Sequence, residues 1–312
     1  MEKVKFEDWA ITWVEQKKDY VKESTYANYI IALKNHLIPR LGSYPVDEIT
    51  QEMVQTLILY LRRAGRVDGG GGLSDKTVRD MIMILKMCLK DFGVADKKIY
   101  RPNAFQYPVD SHISPIEVLN DDTLHAILQA SEKEEGYEAI GYVVSLFTGM
   151  RIGEICALQW KDIDLEQKII RVTKTLQRVY FKEGDKGKTK LVIGTPKSKA
   201  AIREIPIAHF LEKSLLNAVC NEDFYLLSGN YKPIEPRLYR KHFQDFLEKN
   251  NLKHIRFHAL RHTFATRCIE KGGDYKTVSC LLGHSSIELT LKQYVHPQMA
   301  QKRKCVELAN VN

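Results

Sequence analysis

The sequence predicts two domains: an all-α bundle, followed by an α+β domain with a small antiparallel β-sheet. Three observations carry that expectation. Apolar residues recur at helical spacing through residues 5–89. From about Tyr100 to Pro115 the chain collects Pro102, Pro108 and Pro115 and loses all periodicity, as a linker does. Residues 168–207 then alternate apolar and polar in strand fashion, with helical patterns on either side. At 312 residues the chain is long enough for two separate cores.

The elements follow in order. Phe6, Trp9, Ala10, Trp13 and Val14 place a helix over residues 5–17. A second follows the start signal Ser24/Thr25, puts Tyr26, Tyr29, Ile30, Leu33 and Leu37 on one face, and stops near Pro39 and Gly42. A third follows Thr50, with Met53, Val54, Leu57, Ile58 and Leu61 apolar, and ends in Arg62-Arg63-Ala64-Gly65. Gly69 to Gly72 read as a flexible loop, after which Ser74 caps a fourth helix running through Val78, Met81, Ile82, Leu85 and Leu89. The domain boundaries read from this are 1–106 for the helical domain, 107–117 for the linker and 118–312 for the second domain. There, Asn120 with Asp121 and Asp122 opens a helix, and Tyr137 to Phe147 reads as a buried one. Strands are expected at 168–174, 191–193 and 202–207, with Gly184, Asp185 and Gly187 turning between them. Everything after Ile207 reads as helical.

Composition excludes several function classes. No apolar run approaches the length of a membrane span, and acids within the first residues argue against a signal peptide. Six cysteines lie far apart without a C-x-x-C pair, which argues against a zinc module or disulfide framework and for a reducing cytoplasm. There is no Walker loop and no acidic cluster suited to Mg²⁺, so no metal and no cofactor are expected. A net charge of +8 fits a polyanionic partner. Between Arg171 and Lys199 the chain carries nine Lys/Arg against only Glu183 and Asp185. On charge alone, a solvated hairpin explains that run equally well.

Five short patterns break the tie. TGMRIGE (148–154) holds Arg151 between glycines, with Glu154 near enough to orient its guanidinium; alone, it reads as a structural ion pair. TPKSKAAIREIP (195–206) puts Lys197 at a turn, where a lysine is ordinarily just solvated. FHALRHTF (257–264) sets His258 and Arg261 three apart on one helix face near its N-terminus, where an anion is favoured. His258 and His262 also have the spacing of a metalloprotease zinc pair, but Ala259 stands where that motif needs glutamate. In LGHSS (282–286) helix capping explains the glycine and serines but not His284. LTLKQYV (289–295) contains Tyr294, one of fifteen tyrosines.

Taken together, in the order Arg, Lys, His-x-x-Arg, His, Tyr, these patterns resemble the active-site signature of the tyrosine recombinases, the family of phage and transposon integrases. LRHTFAT (260–266) and LLGHS (281–285) are the stretches nearest the family's wording. The resemblance implies a helical core-binding domain that clamps DNA, then a catalytic domain that cuts and rejoins it through a 3′-phosphotyrosyl intermediate and a Holliday junction. It implies Arg151, Lys197, His258, Arg261, His284 and Tyr294 as catalytic residues and Glu154 as a supporting one. In those roles Tyr294 is the nucleophile, the two arginines clamp the phosphate with His258 and His284 adding donors, His258 is also the candidate base, and Lys197 supplies the leaving group's proton, with Lys199 as fallback. DNA contacts are expected at Arg178, Lys182, Lys186, Lys188, Lys190 and Lys199 on the hairpin, and at Arg62, Arg63, Lys76 and Arg79 on the helical domain. The implied partners are double-stranded recombination sites, three further copies of the chain exchanging C-terminal tails (residues 296–308), and accessory DNA-bending or directionality proteins. The setting is a bacterial cytoplasm, at the nucleoid. Rival readings are a Xer-like dimer-resolution recombinase, a type IB topoisomerase, and a catalytically silent DNA-binding relative.

Overall fold

The computed structural model describes residues 3–94, 98–108, 116–183, 186–196 and 198–294, together with Arg303, Val306 and Glu307; at 182, 183, 186 and 187 it describes the backbone alone. By packing, the chain divides into two units: Met1–Ser114 with Val179–Lys190, and Pro115–Arg178 with Leu191–Asn312. The segment 179–190, which the sequence pattern places with the second domain, thus packs with the helices of the first.

The first unit contains α1 (Phe6–Lys17), α2 (Glu23–Ala32), α3 (Ile38–Leu41), α4 (Gln51–Ala64) and α5 (Asp75–Phe92). Thr50 and Ser74 act as the sequence suggests: each hydroxyl accepts the backbone N–H three residues on, from Met53 and Thr77. The second helix differs from expectation. It starts at Glu23 with Lys22 as its cap, and it does not stop before Pro39. Residues Leu33–Leu37 widen into a π-turn in which the Ile38 N–H reaches Leu33 O. That shift of hydrogen-bond register absorbs the N–H which proline lacks, and the helix runs on to Leu41. Phe6, Trp13, Leu37, Ile58, Leu61, Leu85 and Leu89 fill the core and are each fully buried. Trp9 and Trp13 keep their indole N–H groups paired, to Cys88 O at 2.9 Å and Asp91 Oδ2 at 2.8 Å.

The second unit opens with α6 (Asp121–Lys133), capped by Asn120, then α7 (Glu138–Thr148) and the short α8 (Ile152–Cys156). Strands β1 (Ile163–Asp164) and β2 (Ile169–Val172) follow, then β3 (Thr175–Glu183) and β4 (Lys186–Gly194), which pair as a two-stranded sheet; their residues 179–183 and 186–190 are counted with the first unit. Strand β5 (Arg203–Pro206) lies beside β2, giving a separate antiparallel sheet of order β1-β2-β5 in which Ile170 faces both Ile163 and Ile205. Helices α9 (His209–Leu216), α10 (Pro236–Lys249), α11 (His258–Glu270), α12 (Tyr275–Leu282) and α13 (Ile287–Tyr294) complete the unit. The expectation of helix everywhere after Ile207 fails between α9 and α10. There Gly229 at φ +59°, Asn221, Ser228 and Asn230 form turns, and Phe224 O accepts from the Trp160 N–H.

Helix α7 is the hub of this unit, as its continuous apolar run predicts. Tyr142 meets Phe243 and Phe246 at 4.9 Å and Tyr239 at 5.4 Å between ring centroids. Gly141 permits that closeness, because a Cβ there would sit 2.3 Å from Tyr239 Oη. A smaller cluster, Ala265, Ile269, Val278, Leu282 and Tyr294, joins the last three helices. Among the described residues no helix is long and apolar enough to cross a membrane.

Candidate active site

The site begins where α7 ends. Gly149 adopts φ +63°, a left-handed conformation that closes the helix, and a Cβ there would lie 2.5 Å from Phe264 Cδ1. The chain then places Arg151 as the N-cap of α8, with its backbone N–H donating to Glu154 Oε2 at 2.9 Å and its guanidinium to Glu154 Oε1 at 2.8 Å. Glu154 is only 3% exposed. Burial pushes its carboxyl up, but Arg203 and Arg151 outweigh that and hold it below the usual carboxylate range.

Arg203, on β5, is the second partner of that carboxylate, at 3.0 and 3.3 Å. Its side chain is 6% exposed. The sequence reading missed it. The one available signal was its place in strand alternation with Ile205, two residues on and pointing to the same side of the strand.

Three arginines converge on the C-terminal end of α12. Arg203 Nε donates to Leu281 O at 2.5 Å, Arg261 to Leu282 O at 2.8 Å and Arg151 to Gly283 O at 3.0 Å. These are carbonyls that a helix end leaves without partners, at the negative pole of its dipole. Gly283, at φ +64°, turns the chain here, and a Cβ on it would press Ala201 Cα and the Arg203 guanidinium at 3.0 Å. The turn carrying His284 is therefore fixed from β5, α8 and α11 at once. His284 Nδ1 meets the buried Thr290 hydroxyl at 2.8 Å, so Nε2 is the nitrogen left for a ligand.

Helix α11 supplies Arg261, His258 and His262. Arg261 is 2% exposed and also donates to Gly149 O at 2.5 Å; burial, then the neighbouring Arg151, lowers its guanidinium to about 9. His258 stays open to solvent on one side. The protein crowding it and then the positive or protonatable groups His262, Arg261, Arg151 and His284 pull its imidazole down to about 4. His284 falls to about 4 for the same first reason, with Arg261, Arg151 and Arg203 adding to it. Neutral imidazoles beside two arginines make a site that accepts an anion.

Tyr294 ends α13 and is 6% exposed. Its ring lies parallel to that of His284 with centroids 6.3 Å apart. Its hydroxyl is 2.8 Å from His262 Nδ1, a contact the sequence reading did not foresee. Burial raises the phenol above its ordinary range, and Arg261 and Arg151 work against that.

Arg151, Glu154, Arg261, His284 and Tyr294 are thus linked through α8, α11, α12 and α13, and His258 stands one helical turn before His262 at 4.5 Å between rings. Lys197 lies outside the described residues. Lys199 is exposed on the turn Lys199–Ala201, which abuts Gly283. Of the expected DNA contacts, Arg63 and Lys76 are exposed, while the side chains of Lys182 and Lys186 are outside the described set. Arg62 is half-buried and donates to Leu73 O at 2.5 Å, so it serves the α4–α5 connection. Arg178 is held by both oxygens of Glu235, at 2.5 and 2.6 Å, and belongs to the framework more than to an open surface. Arg79 pairs with Asp75 and covers the Tyr107 ring; Lys190 pairs with Glu23. Lys188 also has a partner within the protein. Most of the tail, residues 295–312, is outside the described residues.

A model of the phage integrase family matches residues 117–301, and one of the phage integrase N-terminal SAM-like domain matches residues 5–62. The chain is 32% identical over 268 residues to a XerC-like tyrosine recombinase of Caldanaerobacter subterraneus subsp. tengcongensis, covering 77% of this chain and 67% of that protein. It is 31% identical over 168 residues to the ICEBs1 integrase of Bacillus subtilis (50% of this chain, 44% of that one). It is 26% identical over 228 residues to the Tn916 transposase of Enterococcus faecalis (63% and 53%). The matches therefore span between 44% and 67% of these relatives' lengths. Among solved structures, the Tn1549 transposon integrase in complex with transposon right end DNA superposes with a TM-score of 0.78 at 25% identity, over 98% of this chain and 100% of that one.

Proposed function

The chain belongs to the phage integrase family of tyrosine recombinases, and from that premise we propose that it cuts and rejoins DNA strands at specific sites to integrate or excise a mobile element. The observation that carries the reading is the grip of two arginines on the backbone turn that carries His284, with the Tyr294 ring lying parallel to that histidine.

The chemistry follows from those groups. A phosphodiester repels nucleophiles because its non-bridging oxygens are negative, and attack adds further charge at phosphorus. Arg151 and Arg261 offer planar, forked donors suited to those oxygens, and His284 Nε2 adds a third. Losing one such donor costs on the order of 10²–10³ in rate. Tyr294 Oη attacks phosphorus, the bond to the 5′-oxygen breaks, and a 3′-phosphotyrosyl ester retains the energy of the cut bond. Rejoining to another 5′-hydroxyl then requires no ATP. Lys197 is the proposed donor of the proton taken by the departing oxygen, with Lys199 in reserve. Lysines of the hairpin (182, 186, 188 and 190) and Arg63, Lys76 and Arg79 are proposed to meet backbone phosphates, where each contact adds salt-dependent affinity. The proposed assembly is a tetramer on double-stranded recombination sites at the bacterial nucleoid, passing through a Holliday junction with C-terminal tails exchanged between copies. Accessory bending or directionality proteins would act on that assembly.

The test is a covalent-adduct assay on a nicked duplex carrying DNA that flanks the gene's own mobile element, with EDTA present. Wild type should give an SDS-stable protein–DNA band and Tyr294→Phe none. A band that survives the substitution moves the nucleophile elsewhere. No band on a duplex that the protein binds would turn the reading towards a DNA-binding relative.

A further inference from the structure

Among the described residues the Tyr294 hydroxyl has one histidine within hydrogen-bond reach, and it is not the one the sequence motif singles out. His262 Nδ1 lies 2.8 Å from Tyr294 Oη, whereas His258 sits a turn earlier on α11 and meets His262 edge to face at 4.5 Å. His258 is exposed to solvent, whereas His262 is half-buried against the phenol. On this geometry, and resting on Tyr294 as the nucleophile, we propose that His262 is the base that takes the phenolic proton, leaving His258 to bind phosphate.

In the cleavage step a lone pair on Tyr294 Oη forms the new bond to phosphorus as the O–H proton passes to His262 Nδ1. The bond from phosphorus to the 5′-oxygen breaks, and that oxygen takes its proton from a separate donor. In the rejoining step a 5′-hydroxyl attacks phosphorus and gives its proton back to that separate donor. The bond from phosphorus to Tyr294 Oη breaks, and His262 Nδ1–H returns its proton to the departing phenolate, so the histidine ends each cycle as it began. The role requires the tautomer with its proton on Nε2. The charged and titratable groups around the imidazole are His258 and Arg261 on its own helix, Tyr294 on α13, and His284 on the turn between α12 and α13. Burial and Arg261 keep His262 below the ordinary histidine range, hence neutral and able to accept before DNA binds. The arriving phosphate is an anion close to the same ring, and it favours the imidazolium that forms as the phenol ionises.

The experiment pairs His262→Gln with 2,3,5-trifluorotyrosine at position 294. Glutamine retains a hydrogen-bonding oxygen but does not hold a proton, so cleavage of the nicked duplex should fall by about 10²–10⁴-fold. A fluorinated phenol is already ionised near neutral pH and needs no base, so it should restore at least tenfold of that loss in His262→Gln. The same substitution in His258→Gln should restore little, since the defect there lies in holding the phosphate and not in deprotonating the phenol. His262→Gln cleaving within threefold of wild type overturns the proposal, and so does a defect that fluorotyrosine leaves untouched or rescue confined to His258→Gln. Should His262→Gln fail to fold, His262→Ala with added imidazole provides the second arm: restored cleavage supports the base, and unchanged cleavage in a folded variant refutes it. Absence of any adduct from wild type would instead sink the nucleophile assignment, a separate result.

Discussion

Removing the Arg203 charge tests whether the buried ion pair beneath Arg151 is what holds the site together. Arg203→Met keeps most of the volume but strips two donors from Glu154 and one from Leu281 O. With the two side chains 6% and 3% exposed, water cannot replace those donors. A buried pair broken from one side typically costs about 3–5 kcal/mol. At roughly 2–4 °C per kcal/mol for a domain of this size, the melting temperature should fall by roughly 6–20 °C. Glu154→Leu alone should cost a similar amount, because Arg203 is then stranded. The double variant Arg203→Met/Glu154→Leu should be less destabilised than the sum, with a coupling of about 1–3 kcal/mol. Cleavage should not recover with stability, since Arg151 still lacks the carboxylate that orients it. Thermal or urea unfolding of the four proteins measures the cycle. Single substitutions each costing under about 1 kcal/mol, or an additive double variant, would refute the reasoning.

Three further outcomes follow from the same geometry. Gly149→Ala must place a side chain at φ +63° against Phe264, so it should destabilise by at least about 1–2 kcal/mol and slow cleavage; an unchanged melting temperature would count against the strained cap. Thr290→Val keeps the shape but removes the partner of His284 Nδ1, and should lower the adduct rate by up to about tenfold with an unaltered circular dichroism spectrum. His258 and His284 fall to about 4 in the fold from 6.5, so the unfolded chain takes up their protons first. Their contribution is complete above pH 6.5, drains away as pH falls towards 4 and levels off below it. Glu154, held below 4.5, withdraws its own contribution only below that pH, so melting between pH 6.5 and 4.5 reports the histidines. His258→Gln/His284→Gln should reduce the slope over that interval and leave the part that His36 and His262, also lowered by burial, contribute; a slope equal to wild type would discard the prediction.

Much of this was legible before any coordinates. Thr50, Ser74 and Asn120 announce their helices through local chemistry, and each caps as expected. Arg151, Glu154, Arg261, His284 and Tyr294 come together as the motif order implies. What escaped the reading depends on partners distant in sequence. Nothing local to Ile202-Arg203 reports that Glu154, forty-nine residues earlier, is its partner. The His262 contact to Tyr294 spans thirty-two residues and two helices, so spacing along α11 ranked His258 above it. Arg178 looked like part of a basic run because its counter-ion, Glu235, is fifty-seven residues away. The π-turn before Pro39 was hidden for a different reason: proline reads as a stop unless a register shift absorbs it.

Tyr294 belongs to the small cluster of Ala265, Ile269, Val278 and Leu282 that joins the last three helices. The proposed nucleophile is thereby also a keystone, one of five buried members among the described residues. Such satellite clusters open more readily than the main core, so amide exchange should show α12 and α13 exchanging together, faster than α7. It also separates two substitutions that both remove the hydroxyl. Tyr294→Phe removes an oxygen and leaves the keystone in place, whereas Tyr294→Ala removes the ring as well and loosens the turn on which His284 stands. Only the first isolates chemistry from architecture.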